Sequence, residues 1–480
     1  MTGVQTCALP ISQARANYAR NPLPELSAAA FRTTGGLTFV SRDGRGRSPF
    51  RGEKNNFLPR IGLAYKLGVN AVIRAGYGIY YDSIGVNRTT AQQTGFSQST
   101  PIQASLDNGL TFVATNANPF PQGLIAARGS SSGLTTSLGQ GFTVYDPNLK
   151  HAYSQRWSLS AQRMLPGQTV AEVSYVANRG TRLNILRDFN ALPNQYLSTA
   201  DVRDEGRIAS LAQVFPNPFF GLAPSYGGTV SRANLLRPYP QFGNLNSLVP
   251  DGYSWYHSMQ LRGERRMKNG FSLQGSYVWS KFMEAMDYLN PGDSRPVESL
   301  ADNDRPHRIT ASGIWELPVG RGRRFGAALP KVADFFLGSW QLNGVWIVQS
   351  GPALGFGNAL ITTGIDAVRL SGSQRSVERW FNTASFVRDA NRQFQQNLRQ
   401  VPLRFSGVRG DGQRASDWSL FKTFPIAERV KIQFRAELYN AYNQASFNSP
   451  NTNPTSGAFG TVTDTASESK NWQFSLFLKF

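Results

Sequence analysis

The chain has 480 residues, with 46 glycines, 12 % aromatic and 17 % charged residues, and a formal net charge of +20. It has no run of about 18 apolar residues and so no transmembrane helix; membrane-crossing strands stay possible, because they are short and half polar. One cysteine, Cys7, excludes an internal disulfide and a thiolate metal cage, and His151, His257 and His307 lack metal-ligand spacing. The positive charge is mostly arginine, scattered through loops and polar strand faces. Its densest clusters are 44–54 (GRGRSPFRGEK) and the trio Arg321, Arg323 and Arg324. Neither sits on a recognition helix or an aromatic platform, so no nucleic-acid partner is expected. A wet lumen or anionic lipid headgroups are the expected use.

Residues 1–12 (MTGVQTCALPIS) have no basic start, continuous apolar stretch or small-residue cleavage site, so they are not a secretory signal. They closely resemble the translation of a common sequencing-adapter oligonucleotide. The expectation is an artefact, with the native amino terminus, any signal peptide and any upstream domain missing. Residues 13–56 read as an irregular lead-in with one possible strand, 36–42 (GLTFVSR).

From Phe57 an alternating rhythm begins. Ile61, Leu63, Tyr65 and Leu67 alternate with Gly62, Ala64 and Lys66; after a turn at 68–70, Ile73, Ala75, Tyr77 and Ile79 oppose Arg74, Gly76 and Gly78. Two period-2 runs around three turn residues read as a hairpin. A long Gly/Ser/Thr/Asn-rich loop runs to about 150. The second hairpin, 153–165 and 168–180, turns at Pro166-Gly167, with Trp157, Leu159 and Ala161 on one face and Ala171, Val173 and Tyr175 on the next. Another long loop runs to 252. The third hairpin, 253–267 and 271–283, turns at Lys268-Asn269-Gly270; Phe271, Leu273, Tyr277 and Trp279 oppose Ser272, Gln274, Ser276 and Ser280.

A charged run, 302–308 (DNDRPHR), precedes strand 309–317, which carries Trp315. Strand 339–349 puts Trp340, Leu342, Trp346 and Val348 opposite Gln341 and Asn343. The last three strands are 417–424, 429–440 and 471–480. In the middle one, Val430, Ile432, Phe434, Ala436 and Leu438 oppose Lys431, Gln433, Arg435, Glu437 and Tyr439. A helix would scatter those polar residues around its circumference, so the period is that of a strand. In the terminal strand Trp472, Phe474, Leu476, Leu478 and Phe480 share a face, and Phe477 is the apolar intruder on the other.

Long and short connections alternate. Strands crossing a slab alternate in direction, so the longest loops emerge on one side and the tight turns on the other. Outer-membrane barrels have this asymmetry, with long extracellular loops and short periplasmic turns. A soluble sandwich seldom holds several structureless loops this long, and no fixed repeat supports a propeller. The predicted fold is an all-β, antiparallel transmembrane outer-membrane β-barrel over 57–480, with eleven strands, or twelve counting 36–42.

The hairpins resemble the carboxy-terminal barrel of Oar-like TonB-dependent transporters of Gram-negative bacteria. The stretches that carry this are FLPRIGLAYKL with AVIRAGYGIYYD (57–82), QRWSLSAQRMLPGQTVAEVSYVANRGTRL (155–183), RPYPQFG (237–243) and YHSMQLRGERRMKNGFSLQGSYVWSK (256–281). They continue, in family order, with DNDRPHRITASGIWELPVGRGRRF (302–325), GSWQLNGVWIVQSGPAL (338–354), WFNTASF (380–386) and DWSLFKTFPIAERVKIQFRAELYNAYNQASFNSP (417–450). The resemblance implies a full barrel of about 22 strands, a plug domain and a TonB box upstream, so this chain reads as a fragment that holds about half of the wall. It also implies passage of a large solute, such as a siderophore, glycan or peptide, driven through the plug by the TonB complex. The terminal residues Trp472, Phe474, Leu476, Leu478 and Phe480 resemble the signal read by the barrel-assembly machinery.

The strand faces assign further roles. Trp157, Tyr175, Trp279, Trp315, Trp340 and Trp346 are expected to face lipid or the interfacial girdles. Arg74, Gln274, Gln341, Lys431, Arg435 and Glu437 are expected to face the lumen. No catalytic residue, metal or cofactor is expected. The acidic residues Glu284, Asp287, Asp293, Glu298, Asp302 and Asp304 read as solvated loop charges, and Arg409-Gly410-Asp411 as a chance match to an adhesion tripeptide. The alternative reading is a structural, adhesion or secretion-linked outer-membrane barrel without ligand import. An outer-membrane enzyme would need a Ser/His or Asp/His pair converging at one loop end, which three scattered histidines give little reason to expect.

Overall fold

The computed structural model describes residues 4–8, 12–42, 44–82, 94–223, 225–427 and 429–480, with the side chains of 4–8 outside that description. Eleven strands follow one another in one antiparallel meander. They are β1 (Arg60–Leu67), β2 (Ala71–Tyr81), β3 (Tyr153–Leu165), β4 (Thr169–Asp188), β5 (Leu245–Lys268), β6 (Phe271–Ala285), β7 (His307–Glu316), β8 (Trp340–Gln349), β9 (Gln413–Pro425), β10 (Lys431–Tyr439) and β11 (Asn471–Lys479). Among the described residues each pairs with its neighbours in sequence along this path, and two short segments, Phe142–Tyr145 and Ser299–Leu300, add to β5 and β6 at the margins. No ladder joins β1 to β11 among the described residues, so both outer edges are open.

The register carries one apolar face across every strand. On β9, β10 and β11 the rungs Trp418–Leu438–Trp472 and Leu420–Ala436–Phe474 share it. On β1 to β3 it holds the rungs Tyr65–Ile73–Ala161 and Leu63–Ala75–Leu159. These side chains stand in the open: Ile61, Leu63 and Tyr65 are 67 %, 65 % and 62 % exposed, and Phe474, Leu476 and Leu478 are 64 %, 71 % and 61 % exposed. A contiguous apolar face of this extent needs an apolar surrounding.

Tight turns lie at one end of the sheet. The turn between β5 and β6 places Asn269 and Gly270 at φ 55° and 75°, the doubly left-handed pair that matches strand twist in a two-residue hairpin. Long connections lie at the other end, and β4 and β5 extend toward them. They have 20 and 24 residues, whereas crossing a bilayer takes about 9–11 tilted residues. Both therefore run well past the membrane on the loop side.

Two expectations are corrected here. The possible strand 36–42 is not part of the wall. Its strand is Thr34–Leu37, paired with Val4–Ala8 outside the large sheet; the side chain of Cys7 lies outside the described residues. The reason is packing: Leu37 and Phe39 are buried, and a Cβ on Gly36 would lie 2.4 Å from the Leu134 carbonyl oxygen. The lead-in is also not irregular, since it contains the helix Ser12–Ala19, whose Ala14 and Tyr18 are buried.

The long loops are folded, and they hold the apolar core. Phe31, Leu37, Phe142, Phe219, Leu235 and Phe242 form one cluster from the lead-in and the connections β2–β3 and β4–β5. Phe356, Phe381, Phe386, Phe405 and Phe459 form a second from the connections β8–β9 and β10–β11. The molecule is thus inverted relative to a water-soluble protein, with its dry centre in the loop cap and its greasy side chains on the outside of the wall.

Candidate functional site

Pleating sends alternate side chains to opposite faces, so the polar face is built by the same registers. The six residues expected at the lumen, Arg74, Gln274, Gln341, Lys431, Arg435 and Glu437, all fall on the face opposite the apolar one. Their neighbours are polar. Arg74 donates to the Gln162 side chain, Arg262 pairs with Glu264 at 3.0 Å, and the Asn343 amide donates to Ser419. Phe477, out of pattern in the sequence, has its ring centroid 4.2 Å from the Arg435 guanidinium, which also lies 4.7 Å from the Phe421 ring. The intruder is thus half of a cation–π pair, a use its neighbours in sequence could not reveal.

At the loop end this polar face opens into a cavity of about 500 Å³. Gln349, Gln413, Asp417, Tyr439, Glu468 and Arg305 line it. Asp417 accepts from the Asn440 amide as β10 ends, and Asp411 accepts from the amides of Gly412 and Phe447. Burial pushes the Arg305 guanidinium below its ordinary value, with Asp302 opposing that shift. The walls offer hydrogen-bond donors and acceptors of both charges, which suits holding a polar solute at the mouth. Among the described residues no three His, Cys, Asp or Glu side chains come together to hold a metal.

The acidic loop set is corrected in part. Asp304 is 1 % exposed and pairs with Arg409 at 2.6 Å, while its other oxygen accepts from the Phe282 amide. Glu284 pairs with Arg404 at 3.0 Å, and Asp293 accepts from Asn194. These carboxylates fasten the connections to one another and, through Glu284, to the end of β6; the buried Asp304 needs its partner most, because a buried charge is costly unpaired. The tripeptide 409–411 is consumed the same way: Arg409 also donates to the Gly351 carbonyl, and its own carbonyl accepts from the Trp380 indole.

The six aromatics expected toward lipid lie on the apolar face. Trp315 and Trp340 stand near the tight-turn end, and Trp157 and Trp279 near the loop end. Tyr175 and Trp346 lie between. Sequence reasoning missed the polar groups beside them. The Tyr175 hydroxyl meets His257 Nδ1 at 2.6 Å, and Tyr277 meets His307 Nδ1 at 2.9 Å. Each histidine on the greasy face is therefore satisfied by a tyrosine from the adjacent strand, and His257 is ringed by Trp157 and Trp255. Lys422 was also missed. It sits on the apolar face, fully buried, and its ammonium donates to the Gly338 carbonyl.

An antiparallel meander with one apolar and one polar face, tight turns at one end and folded loops at the other defines the wall of an integral outer-membrane β-barrel. The chain belongs to the outer membrane beta barrel domain family, whose model matches residues 9–473. No curated protein matches the sequence. Among solved structures the chain is similar to the outer membrane transporter YddB from Escherichia coli, with 11 % identity, a TM-score of 0.38, and coverage of 85 % of this chain and 38 % of that one. The FrpB iron transporter from Neisseria meningitidis gives 9 %, 0.39, 88 % and 39 %. A mutant ferric enterobactin receptor, PfeA, from Pseudomonas aeruginosa gives 11 %, 0.39, 88 % and 40 %. The chain therefore spans about two fifths of the length of these proteins.

Proposed function

We propose that this chain supplies part of the wall and loop cap of a TonB-dependent transporter of the Oar-like kind. In that reading further strands complete the barrel at the open edges of β1 and β11, and a plug domain fills the lumen. The polar face, with Arg74, Gln274, Gln341, Lys431, Arg435 and Glu437, meets water and plug. The aromatics Trp157, Tyr175, Trp279, Trp315, Trp340 and Trp346 meet lipid or its interface, and Trp472, Phe474, Leu476, Leu478 and Phe480 address the barrel-assembly machinery. A large solute such as a siderophore, glycan or peptide enters at the cap and passes when the TonB complex displaces the plug.

The observation that carries this reading is the cavity of about 500 Å³, lined by Arg305, Asp411, Asp417 and Glu468 among apolar residues such as Phe447, where the polar face opens under a folded cap. A purely structural wall has no need of a hydrogen-bonding chamber at that point. The test is uptake by cells that produce the protein from its complete reading frame, with and without a working TonB complex. Mixed large solutes from spent medium serve as the pool. Accumulation of a solute only when TonB is active supports the reading. Equal accumulation in both strains overturns it in favour of a structural or secretion-linked barrel.

A further inference from the structure

The connection between β7 and β8, residues 317–339, folds back onto the outside of the wall. Its helix α1 (Lys331–Leu337) lies against the apolar face by three contacts. The Phe335 ring is 5.1 Å from that of Phe424, the Trp340 indole donates to the Phe336 carbonyl at 3.0 Å, and Lys422 donates to Gly338 from beneath. The preceding loop is fastened to it. The Arg321 amide donates to Asp334, and Gly320 approaches so closely that a Cβ would meet Asp334 at 2.8 Å and Gly338 at 2.9 Å.

The outward side of this shelf is greasy and basic at once. Val332, Phe336, Leu337 and Phe325 are 74 %, 61 %, 52 % and 55 % exposed. Arg321, Arg324 and Lys331 are exposed beside them, whereas Arg323 is taken by Glu316 at 3.2 Å. The one carboxylate of the helix, Asp334, is occupied by the loop amide. An apolar side with flanking cations is the signature of a segment lying in a membrane interface. Its place at the tight-turn end, continuous with the lipid-facing wall, puts it level with the periplasmic leaflet.

We propose that this shelf is a docking surface for anionic glycerophospholipid of the periplasmic leaflet. Arg321, Arg324 and Lys331 hold the phosphate-bearing headgroup, and Phe325, Val332 and Phe336 rest among the first acyl carbons. A zwitterionic lipid offers the same acyl contact and a phosphate whose charge its own ammonium offsets, so it lacks the net negative charge that the three cations select.

The test titrates the detergent-solubilised full chain with phosphatidylglycerol, phosphatidylcholine or lipid A and counts retained lipid by native mass spectrometry. Each cation near an anionic surface contributes roughly fivefold. Phosphatidylglycerol is thus expected to bind at least about tenfold more tightly than phosphatidylcholine. The triple variant R321Q/R324Q/K331Q should lose that preference, while R321K/R324K keeps it. V332S/F336S should weaken both lipids alike. Equal binding of the two lipids by the unmodified chain overturns the proposal. So does a preference that survives the triple variant, one lost with lysine as well as glutamine, or tighter binding of lipid A than of phosphatidylglycerol.

Discussion

A single pair shows how this protein uses charge. Asp304 is buried and fixed by Arg409, which reaches it from a connection more than a hundred residues away in the chain. Breaking a buried pair by removing one partner typically costs about 3–5 kcal/mol, because the remaining charge has no water to return to. Arg409→Met should therefore loosen the cap formed by 350–412, leaving the wall intact. Hydrogen exchange checks this: protection should fall in that connection and persist in β8 and β9. Unchanged protection would show that the ion pair is not what fastens the cap. None of this was legible in the sequence. Asp304 and Arg409 read as an exposed charge run and a chance tripeptide, because a salt bridge between distant connections leaves no local pattern. Phe477 was likewise visible as an exception but not as a partner of Arg435. Lys422, a lysine in an apolar run, finds its acceptor only once Gly338 is folded back above it.

At the level of the element, the strands were readable because their period is local. The alternation of Ile432, Phe434, Ala436 and Leu438 with Lys431, Gln433, Arg435 and Glu437 fixes both the strand and its two faces, and the registers carry that pattern across all eleven. The same clarity makes a sharp prediction. Leu438 pairs with Trp472 and Trp418 on the apolar face. Leu438→Arg should cost about 2–4 kcal/mol if the side chain faces the middle of the bilayer, falling toward zero near the interface. Folding into lipid vesicles under a denaturant titration measures it, and an unchanged midpoint would mean that this face does not meet hydrocarbon. The elements that escaped were those made by distant contacts. Thr34–Leu37 is a strand only because it pairs with Val4–Ala8 and packs beside Leu134. The helix Lys331–Leu337 is too short to show a helical period. It exists because Phe335 and the Gly338 carbonyl find Phe424 and Lys422 on the wall.

For the whole molecule, the alternation of long and short connections is enough to place the long loops at one end of the sheet and the tight turns at the other. What it could not show is that the long connections are themselves compact, with dry centres at Phe219 and Phe381. Their apolar residues are spread over the lead-in and four connections, so no window of sequence contains a core. Assembly belongs to this scale too. The last strand has β10 as its one neighbour among the described residues, and Phe480 is 97 % exposed beyond it. A Phe480→Asp protein should reach the outer membrane in much smaller amounts, because an aromatic terminus on a greasy strand is proposed to be what the assembly machinery grips. Quantifying the folded protein in outer-membrane fractions checks this, and normal levels would remove the assignment.

The inverted core has a calorimetric consequence. The heat capacity of unfolding follows the apolar surface newly exposed to water. While the strands stay in the bilayer, the outer face of the wall keeps its contact with hydrocarbon and contributes nothing to that change. The cap alone hydrates apolar side chains when it melts. A scan of the lipid-embedded protein should therefore show a lower-temperature transition with a clear heat-capacity step, while the strand signal in circular dichroism survives it. Thermally, the protein is then two materials joined at the rim, one held by water and one by oil.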